Sequence, residues 1–250
     1  MSVLVFEPGG YRFVRGVFQY SCGVAALAGY RIVRTQFRAP VPLGEGFRRV
    51  EQIISESARP LTALCACELR SPAPFTESGF AEFNKVYVGT LERWKVYDGE
   101  HNPVARSNVC PAIDPPAEPS LHAFSYTEVA RDVAPSFVIA GSGEAPEGRG
   151  SYRDHIVRLG DTTPGGLREK ARFVLGEMER RMAELGFGWW NVSATQVYSV
   201  HDIHPFLEDE IVRRGAARMG LTWHYCRPPV VDLEYEMDCR GVAVERVASP

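Results

Sequence analysis

The 250-residue sequence predicts an α+β fold in which two halves repeat one order of strands and helices. Three observations support this prediction. Four segments carry apolar residues at helical spacing, strand-like apolar runs alternate with them, and the order seen in residues 1–128 returns in residues 129–250. Strands that alternate with well-separated helices form a layer with the helices on one face of a sheet. A repeat of roughly 125 residues is too long for a solenoid unit and predicts two related domains.

The first half contains two predicted helices with strands around them. Apolar residues recur at helical spacing in the segment GEGFRRVEQIISESARP, and the strand candidate LTALCACEL follows it. Thr76 is a plausible N-cap for a second helix that carries an apolar stripe. A short strand after Arg106 and the strand candidate LHAFSYTEV close this half.

The second half repeats this order more clearly. The run PSFVIAGSG is an early strand that ends in glycines. Thr163 and Pro164 begin the strongest predicted helix of the chain, and Gly186 ends it. The remaining predicted elements are the strand NVSATQVYSV, a helix begun by Pro205, and the strands LTWHYC and VVDLEYEMDC.

Composition and charge favour a globular protein without a nucleic-acid or membrane role. The chain is 45% hydrophobic with a formal net charge of −3, so it lacks the basic surface of a general nucleic-acid binder. No apolar run approaches a membrane span, and the N-terminal MSVLVFEPGG has no basic leader. The six cysteines follow neither zinc-ligand nor disulfide spacing, which indicates buried reduced thiols in a cytoplasmic protein.

Several short motifs resemble the Rid (reactive intermediate deaminase) family, also called the YjgF family. FAEFNKVY followed by HNPVARSNV resembles the family's F-A-x-x-N-x-x-Y helix and its A-R-S-x-V strand start. In the second half, FVIAGSGEAP, VSATQVYSVHDIHPF and DLEYEMDCRGV resemble the early, central and glutamate-bearing last strands. A chain with two such units is similar to deaminases that act on 2-aminomuconate and its chlorinated analogue in aromatic-ring catabolism.

The resemblance implies a fold, an assembly and a reaction. The fold would be two tandem Rid-like (chorismate mutase-like) domains, residues 1–128 and 129–250, each a mixed β-sheet with two helices packed on one face. The assembly would be a homotrimer with ligand clefts between units. The reaction would be hydrolysis of a small enamine or imine carboxylate with release of ammonia, without a metal or organic cofactor.

The resemblance also implies site residues, beginning with Arg106. A guanidinium can meet a carboxylate with two parallel hydrogen bonds, which fixes both charge and orientation. The alternative is a structural ion pair at a strand edge. Asn84 matches the family's helix asparagine, and Ser107 follows the arginine. The stretch around Ser142, Gly143 and Glu144 would lie beside the ligand.

Neither half carries the complete family site. The second half has Glu234 at the position of the last-strand glutamate, with Glu236 two residues on and facing the same side, but it lacks the arginine, for which Arg227 is a candidate substitute. The first half has Arg106 but offers His122 where the glutamate belongs, and a histidine can act as acid or base near neutral pH. Either one site has decayed, or each cleft is composite, with Arg106 from one half and Glu234 from the other.

Three functions remain open from the sequence. The leading hypothesis is a metal-independent hydrolytic deaminase of 2-aminomuconate or a substituted analogue. A chorismatase-like hydrolase is the second, because chorismatases use a related two-unit fold. The third is a non-catalytic protein that binds carboxylate metabolites.

Overall fold

The computed structural model describes residues 2–248 and shows an α+β protein built on two β-sheets that pack against each other. Three long helices cover the sheets: α1 (Leu43–Glu56), α2 (Glu77–Arg93) and α3 (Pro164–Glu184). The strands are β1 (Val3–Phe6), β2 (Tyr11–Val14), β3 (Gly23–Ala26), β4 (Tyr30–Pro42), β5 (Leu64–Arg70), β6 (Ala105–Pro111), β7 (Ser120–Val129), β8 (Phe137–Gly143), β9 (Ala194–Tyr198), β10 (Thr222–His224), β11 (Cys226–Arg227), β12 (Glu236–Gly241) and β13 (Val244–Ala248). Short helical segments are α4 (His204–Phe206), a π-helical turn Leu207–Val212, and the 3₁₀ turns Glu7–Gly9, Leu61–Ala63 and Trp189–Asn191. The predicted α+β class is confirmed.

The six-stranded sheet has the order β11-β6-β5-β7-β4-β13, and α1 and α2 share its core. Its central strand β5 is buried along its whole length, including the charged residues Glu68 and Arg70. Strand β6 runs parallel to β5 and pairs Arg106 with Cys67. The predicted cap of α2 is confirmed, because Thr76 Oγ1 accepts a hydrogen bond from the Gly79 N–H at 3.1 Å.

The seven-stranded sheet has the order β1-β2-β3-β8-β12-β9-β10, and α3 packs on it. The predicted start and end of α3 are confirmed. Thr163 Oγ1 accepts from the Gly166 N–H at 3.2 Å, Pro164 occupies the first turn, and Gly186 adopts φ +79° just beyond the last turn. Strand β12 lies between β8 and β9 and is antiparallel to both.

The two sheets exchange strands across the predicted boundary near residue 128. Strands β1 to β3 belong to the first half, yet β3 pairs with β8 and so extends the seven-stranded sheet. Conversely, two strands of the second half join the six-stranded sheet, because β11 pairs with β6 and β13 runs parallel to β4. Each sheet is therefore completed by strands from the other half of the chain.

Two predicted elements differ from the structure. The helix predicted after Pro205 covers only residues 204–212 and then breaks into turns, where Gly215 and Gly220 adopt φ +91° and +105°. The strand predicted as VVDLEYEMDC begins only at Glu236, because a turn with Asp232 at φ +74° occupies its first part. Within residues 2–248, no helix is long and apolar enough to cross a membrane.

Candidate active site

A small cavity of about 30 Å³ lies where the ends of the two sheets meet. Strand β6 supplies one wall, and β8 and β12 supply the opposite wall. Such a volume holds only one or two water molecules. The cavity is lined by Tyr20, Phe80, Arg106, Asn108, Gly141, Gly143, Ala145, Glu147, Tyr152, Pro229, Val230, Leu233 and Glu236.

Arg106 brings a buried positive charge to this cavity. Its residue is 3% exposed, and its Nη1 donates a hydrogen bond to Asn84 Oδ1 at 2.7 Å. Four aromatic rings surround the guanidinium at centroid distances of 4.8 Å for Tyr87, 5.0 Å for Tyr20, 5.5 Å for Phe80 and 5.8 Å for Phe83. Across the described part of the chain, no carboxylate forms an ion pair with it.

A buried guanidinium without an ion pair is costly unless something compensates its charge. Ring quadrupoles and one amide oxygen supply part of that compensation. An anionic ligand would supply the rest, and the low local dielectric would strengthen its attraction. The surroundings of Arg106 are therefore those of an anion-binding group rather than of a closed structural ion pair.

Glu236 brings a carboxyl group to the opposite wall. It is the first residue of β12 and is 3% exposed. Burial raises the pKa of Glu236 well above its usual range, and the charge of Asp238 raises it further, whereas Arg106 opposes the shift. Burial and the charge of Asp238 therefore both favour the protonated form of Glu236. Gly141 leaves room for it, because a Cβ at that position would collide with Glu236 Oε1.

Glu147 is a second carboxyl group on the cavity and has a different environment. The Tyr20 hydroxyl donates to Glu147 Oε1 at 2.8 Å, and Arg181 Nη2 donates to the same oxygen at 2.9 Å. Arg181 is 1% exposed and also donates to the carbonyl oxygen of Ala140 at 3.1 Å. The cavity thus holds one ion-paired carboxyl group and one desolvated carboxyl group, and two carboxyl groups in such different environments are typical of sites that transfer protons.

A chain segment covers the cavity and is held in place at the surface of α2. The Ser151 hydroxyl donates to Glu77 Oε1 at 3.0 Å, and the Arg153 N–H donates to the same oxygen at 3.2 Å. Arg153 also pairs with Asp232 in the neighbouring turn. Burial raises the pKa of Tyr152, between these contacts, to about 12. Because the cavity holds only one or two water molecules, a larger ligand at Arg106 would require some of the lining side chains, such as Tyr152, to move.

Three predicted site residues lie at or next to the cavity. Asn84 contacts the Arg106 guanidinium directly, and Gly143 forms part of the cavity wall. Ser107 faces the other sheet, where its Cβ lies 3.0 Å from the position that a Cβ on Gly141 would take. The A-R-S motif and the helix asparagine are thus brought together.

The structure does not bring Glu234 to Arg106. Glu234 lies in the turn before β12, where its Oε2 is 2.6 Å from His201 Nε2 and 3.4 Å from Arg227 Nη1. Its backbone N–H donates to Glu144. The expectation that Glu234 and Glu236 share a strand face is wrong, because the strand begins only at Glu236, six residues later than predicted. Arg106 of the first half instead shares the cavity wall with Glu236 of the second half.

Other predicted residues have structural partners away from the cavity. Glu144 and Lys170 form a fully buried ion pair at 3.0 Å, and Glu144 also accepts the backbone N–H of Tyr235 at 3.1 Å. Ser142 Oγ accepts from Arg181 at 3.3 Å. Arg227 is partly exposed and faces Glu234. None of these side chains belongs to the cavity wall.

His122 lies in a polar layer between the sheets and not on the cavity wall. Burial lowers the pKa of His122 to about 3, and the charge of Arg70 lowers it further. The ring is therefore neutral at neutral pH and is poorly suited to take up a proton. Nearby, Arg34 holds Glu68 through two hydrogen bonds of 2.6 and 2.8 Å.

Sequence reasoning missed Tyr20, Glu147 and Tyr152, and it noted Asn108 only as a neutral hydrogen-bonding residue after Arg106. Tyr20, Glu147 and Tyr152 come from irregular segments, so no periodic pattern marks them. Asn108 occupies the variable position of the A-R-S-x-V pattern and could have been found from its spacing, because residues two apart on a strand share a face. The described residues contain no group of three or more His, Cys, Asp or Glu side chains arranged to hold a metal ion.

Comparison with known proteins places the chain in a family. Residues 3–246 match the family described as "2-aminomuconate deaminase CnbZ". The chain belongs to this family. The 2-amino-5-chloromuconate deaminase of Comamonas testosteroni is 52% identical to it over 248 residues, which cover 98% of this chain and 99% of that protein. The predicted similarity to deaminases of 2-aminomuconate and its chlorinated analogue is confirmed.

Solved structures support the fold. A chorismatase matches 97% of this chain and 89% of its own with a TM-score of 0.54 at 11% identity, which shows a likeness of fold alone. The YjgF gene product of E. coli matches 43% of this chain and 80% of its own at 16% identity, and its TM-score of 0.32 carries no structural argument.

Proposed function

We propose that this protein is a hydrolytic deaminase of 2-aminomuconate or a substituted analogue and that it acts in the breakdown of aromatic compounds. The observation that carries the proposal is one cavity lined by both the buried Arg106 guanidinium and the buried Glu236 carboxyl group, whose pKa is raised. Family membership and the deaminase activity for which the Comamonas relative is named support the same reaction.

The reaction needs an anchor for the substrate and a group that moves protons. Arg106 binds the carboxylate next to the C–N group, which holds the reacting carbon at a fixed orientation. Glu236 donates its proton to the enamine, which becomes an iminium ion. Water then attacks the iminium carbon while the newly formed Glu236 carboxylate accepts a proton from it. Collapse of the tetrahedral adduct breaks the C–N bond and releases ammonia, which leaves a 2-oxo acid.

Arg106 and Glu236 have separate tasks, and variants at the two positions should fail differently. Arg106→Ala should raise KM strongly, because carboxylate binding is lost. Glu236→Gln should mainly lower kcat, because the amide keeps the shape but cannot supply the proton. Ammonia release from freshly generated 2-aminomuconate measures both, with chorismate as the substrate that tests the chorismatase-like alternative. Wild-type protein that binds the substrate but releases no ammonia would favour a non-catalytic binding role instead.

We propose further that the chain consists of two Rid-like units, residues 1–128 and 129–250, and works as a cytoplasmic homotrimer. The repeated order of elements and the signature motifs support the two units. The candidate cavity lies within one chain, between sheets that draw strands from both halves. Light scattering coupled to size-exclusion chromatography tests the assembly, and a monomeric mass would refute it.

A further inference from the structure

Asn108 has an unused hydrogen-bond donor beside the cavity. It lies on β6 two residues after Arg106 and is 3% exposed. Ser71 Oγ donates to Asn108 Oδ1 at 2.9 Å, which directs the amide nitrogen away from Ser71. In the described chain, Asn108 Nδ2 is buried and has no hydrogen-bond partner. The residue belongs to the cavity wall.

A buried donor without a partner is rare and calls for a physical reason. This donor has already lost its hydration in the folded protein. A ligand that accepts its hydrogen bond therefore gains more binding free energy than a ligand that must first displace an existing partner. Among the other polar groups on the wall, Tyr20 already donates to Glu147, and Glu147 itself is held by Arg181. Asn108 is a neutral donor that remains available to an incoming oxygen.

The position of Asn108 on β6 indicates which ligand oxygen its amide would bind. Residues two apart on a strand lie on the same face with Cα atoms about 6.6 Å apart. Arg106 and Asn108 can therefore bind two ends of one extended ligand. The substrate class proposed above is a six-carbon diacid, and its far carboxylate needs a donor in a cavity whose wall also carries the carboxyl groups of Glu147 and Glu236.

We propose that Asn108 determines specificity by donating a hydrogen bond from Nδ2 to the carboxylate that lies far from the C–N group. This inference rests on the proposed function for the identity of the substrate. Ser71 acts as a positioning residue, because its hydroxyl holds the amide oxygen. The arrangement would select diacids over monoacids of the same length.

Binding of two unreactive probes tests this independently of turnover. Muconate (hexa-2,4-dienedioate) carries both carboxylates, and hexa-2,4-dienoate has the same carbon skeleton with one. Calorimetric titration of the wild-type protein should show a clear preference for muconate. Asn108→Leu should weaken muconate binding by about ten- to a hundredfold, the usual effect of losing a hydrogen bond to a charged group, and should change hexadienoate binding less than about threefold.

Two further variants serve as controls. Asn108→Asp keeps an oxygen for Ser71 but adds a negative charge that repels the muconate carboxylate. Its affinity for muconate should therefore fall further than that of Asn108→Leu. Asn108→Gln keeps the donor and should restore part of the preference. Equal weakening of both probes, unchanged muconate affinity, or a wild-type protein that binds neither probe or both alike would overturn the inference. Normal selectivity without ammonia release would instead refute the proposed function and leave the role of Asn108 standing.

Discussion

Glu236→Gln offers the most direct test of the proton-transfer role. The substitution preserves side-chain volume and removes the acid, so the cavity wall keeps its shape. Positioned acid–base groups contribute about 10²- to 10⁴-fold to rate, and kcat should fall by an amount in that range. Glu234→Gln is the matched control, because Glu234 lies two residues away and pairs with His201 outside the cavity. Its kcat should stay within about threefold of wild type.

The same variant should change how stability depends on pH. Because burial raises the pKa of Glu236 in the folded protein, the folded state holds this proton at pH values where the unfolded chain has lost it. The resulting stabilisation is fully present below the unfolded pKa near 4.5 and is lost as pH rises through the raised folded value. Each pKa unit by which the folded value exceeds the unfolded value corresponds to about 1.4 kcal/mol in the free energy of unfolding.

The amide introduced by Glu236→Gln cannot ionise, so this loss should be absent from the variant. Denaturant unfolding at several pH values should show that the free energy of unfolding of the variant rises relative to that of the wild type as pH increases. Activity of the wild-type protein should fall over the same rise in pH, because the required proton is lost. Parallel stability curves for the two proteins, or equal kcat losses for Glu236→Gln and Glu234→Gln, would refute the reasoning.

Three other substitutions have defined outcomes. Arg106→Lys keeps the charge but loses the two-pronged geometry, so KM for 2-aminomuconate should rise about tenfold or more in steady-state kinetics; an unchanged KM would contradict the role. Gly141→Ala places a methyl group against Glu236 and should destabilise the protein by about 1–3 kcal/mol in urea unfolding and reduce kcat, whereas unchanged values would show that the wall yields freely. Lys170→Met leaves Glu144 as an uncompensated buried charge and should cost about 3–5 kcal/mol in the same assay, and a loss below about 1 kcal/mol would count against a structural ion pair.

Local signals predicted part of the fold and of the site well. The caps of α2 and α3 were predictable, because each is set by a few neighbouring residues. The contact between Arg106 and Asn84 followed from one short motif pair. Both features depend on chain order and spacing, which the sequence states directly.

Other features depend on tertiary contacts that no short pattern encodes. Glu236 and not Glu234 faces the cavity, because a turn at Asp232 delays the start of β12 by a few residues. The predicted strand begins at residue 230, whereas β12 begins at Glu236, so the prediction placed Glu234 inside a strand when it lies in the preceding turn. Tyr20 and Glu147 meet across 127 positions of the sequence, so their hydrogen bond was not predictable from periodicity.

The exchange of strands between the two sheets has a consequence for how this protein folds during its synthesis. Since β1 to β3 extend the sheet of the later half, and β13 lies along β4 of the earlier half, a cut near residue 130 would release no self-sufficient module. A ribosome must finish nearly the whole polypeptide before either layer can close. Arg106 and Glu236 meet only at that last stage, so the candidate site forms together with the completed architecture and not before it.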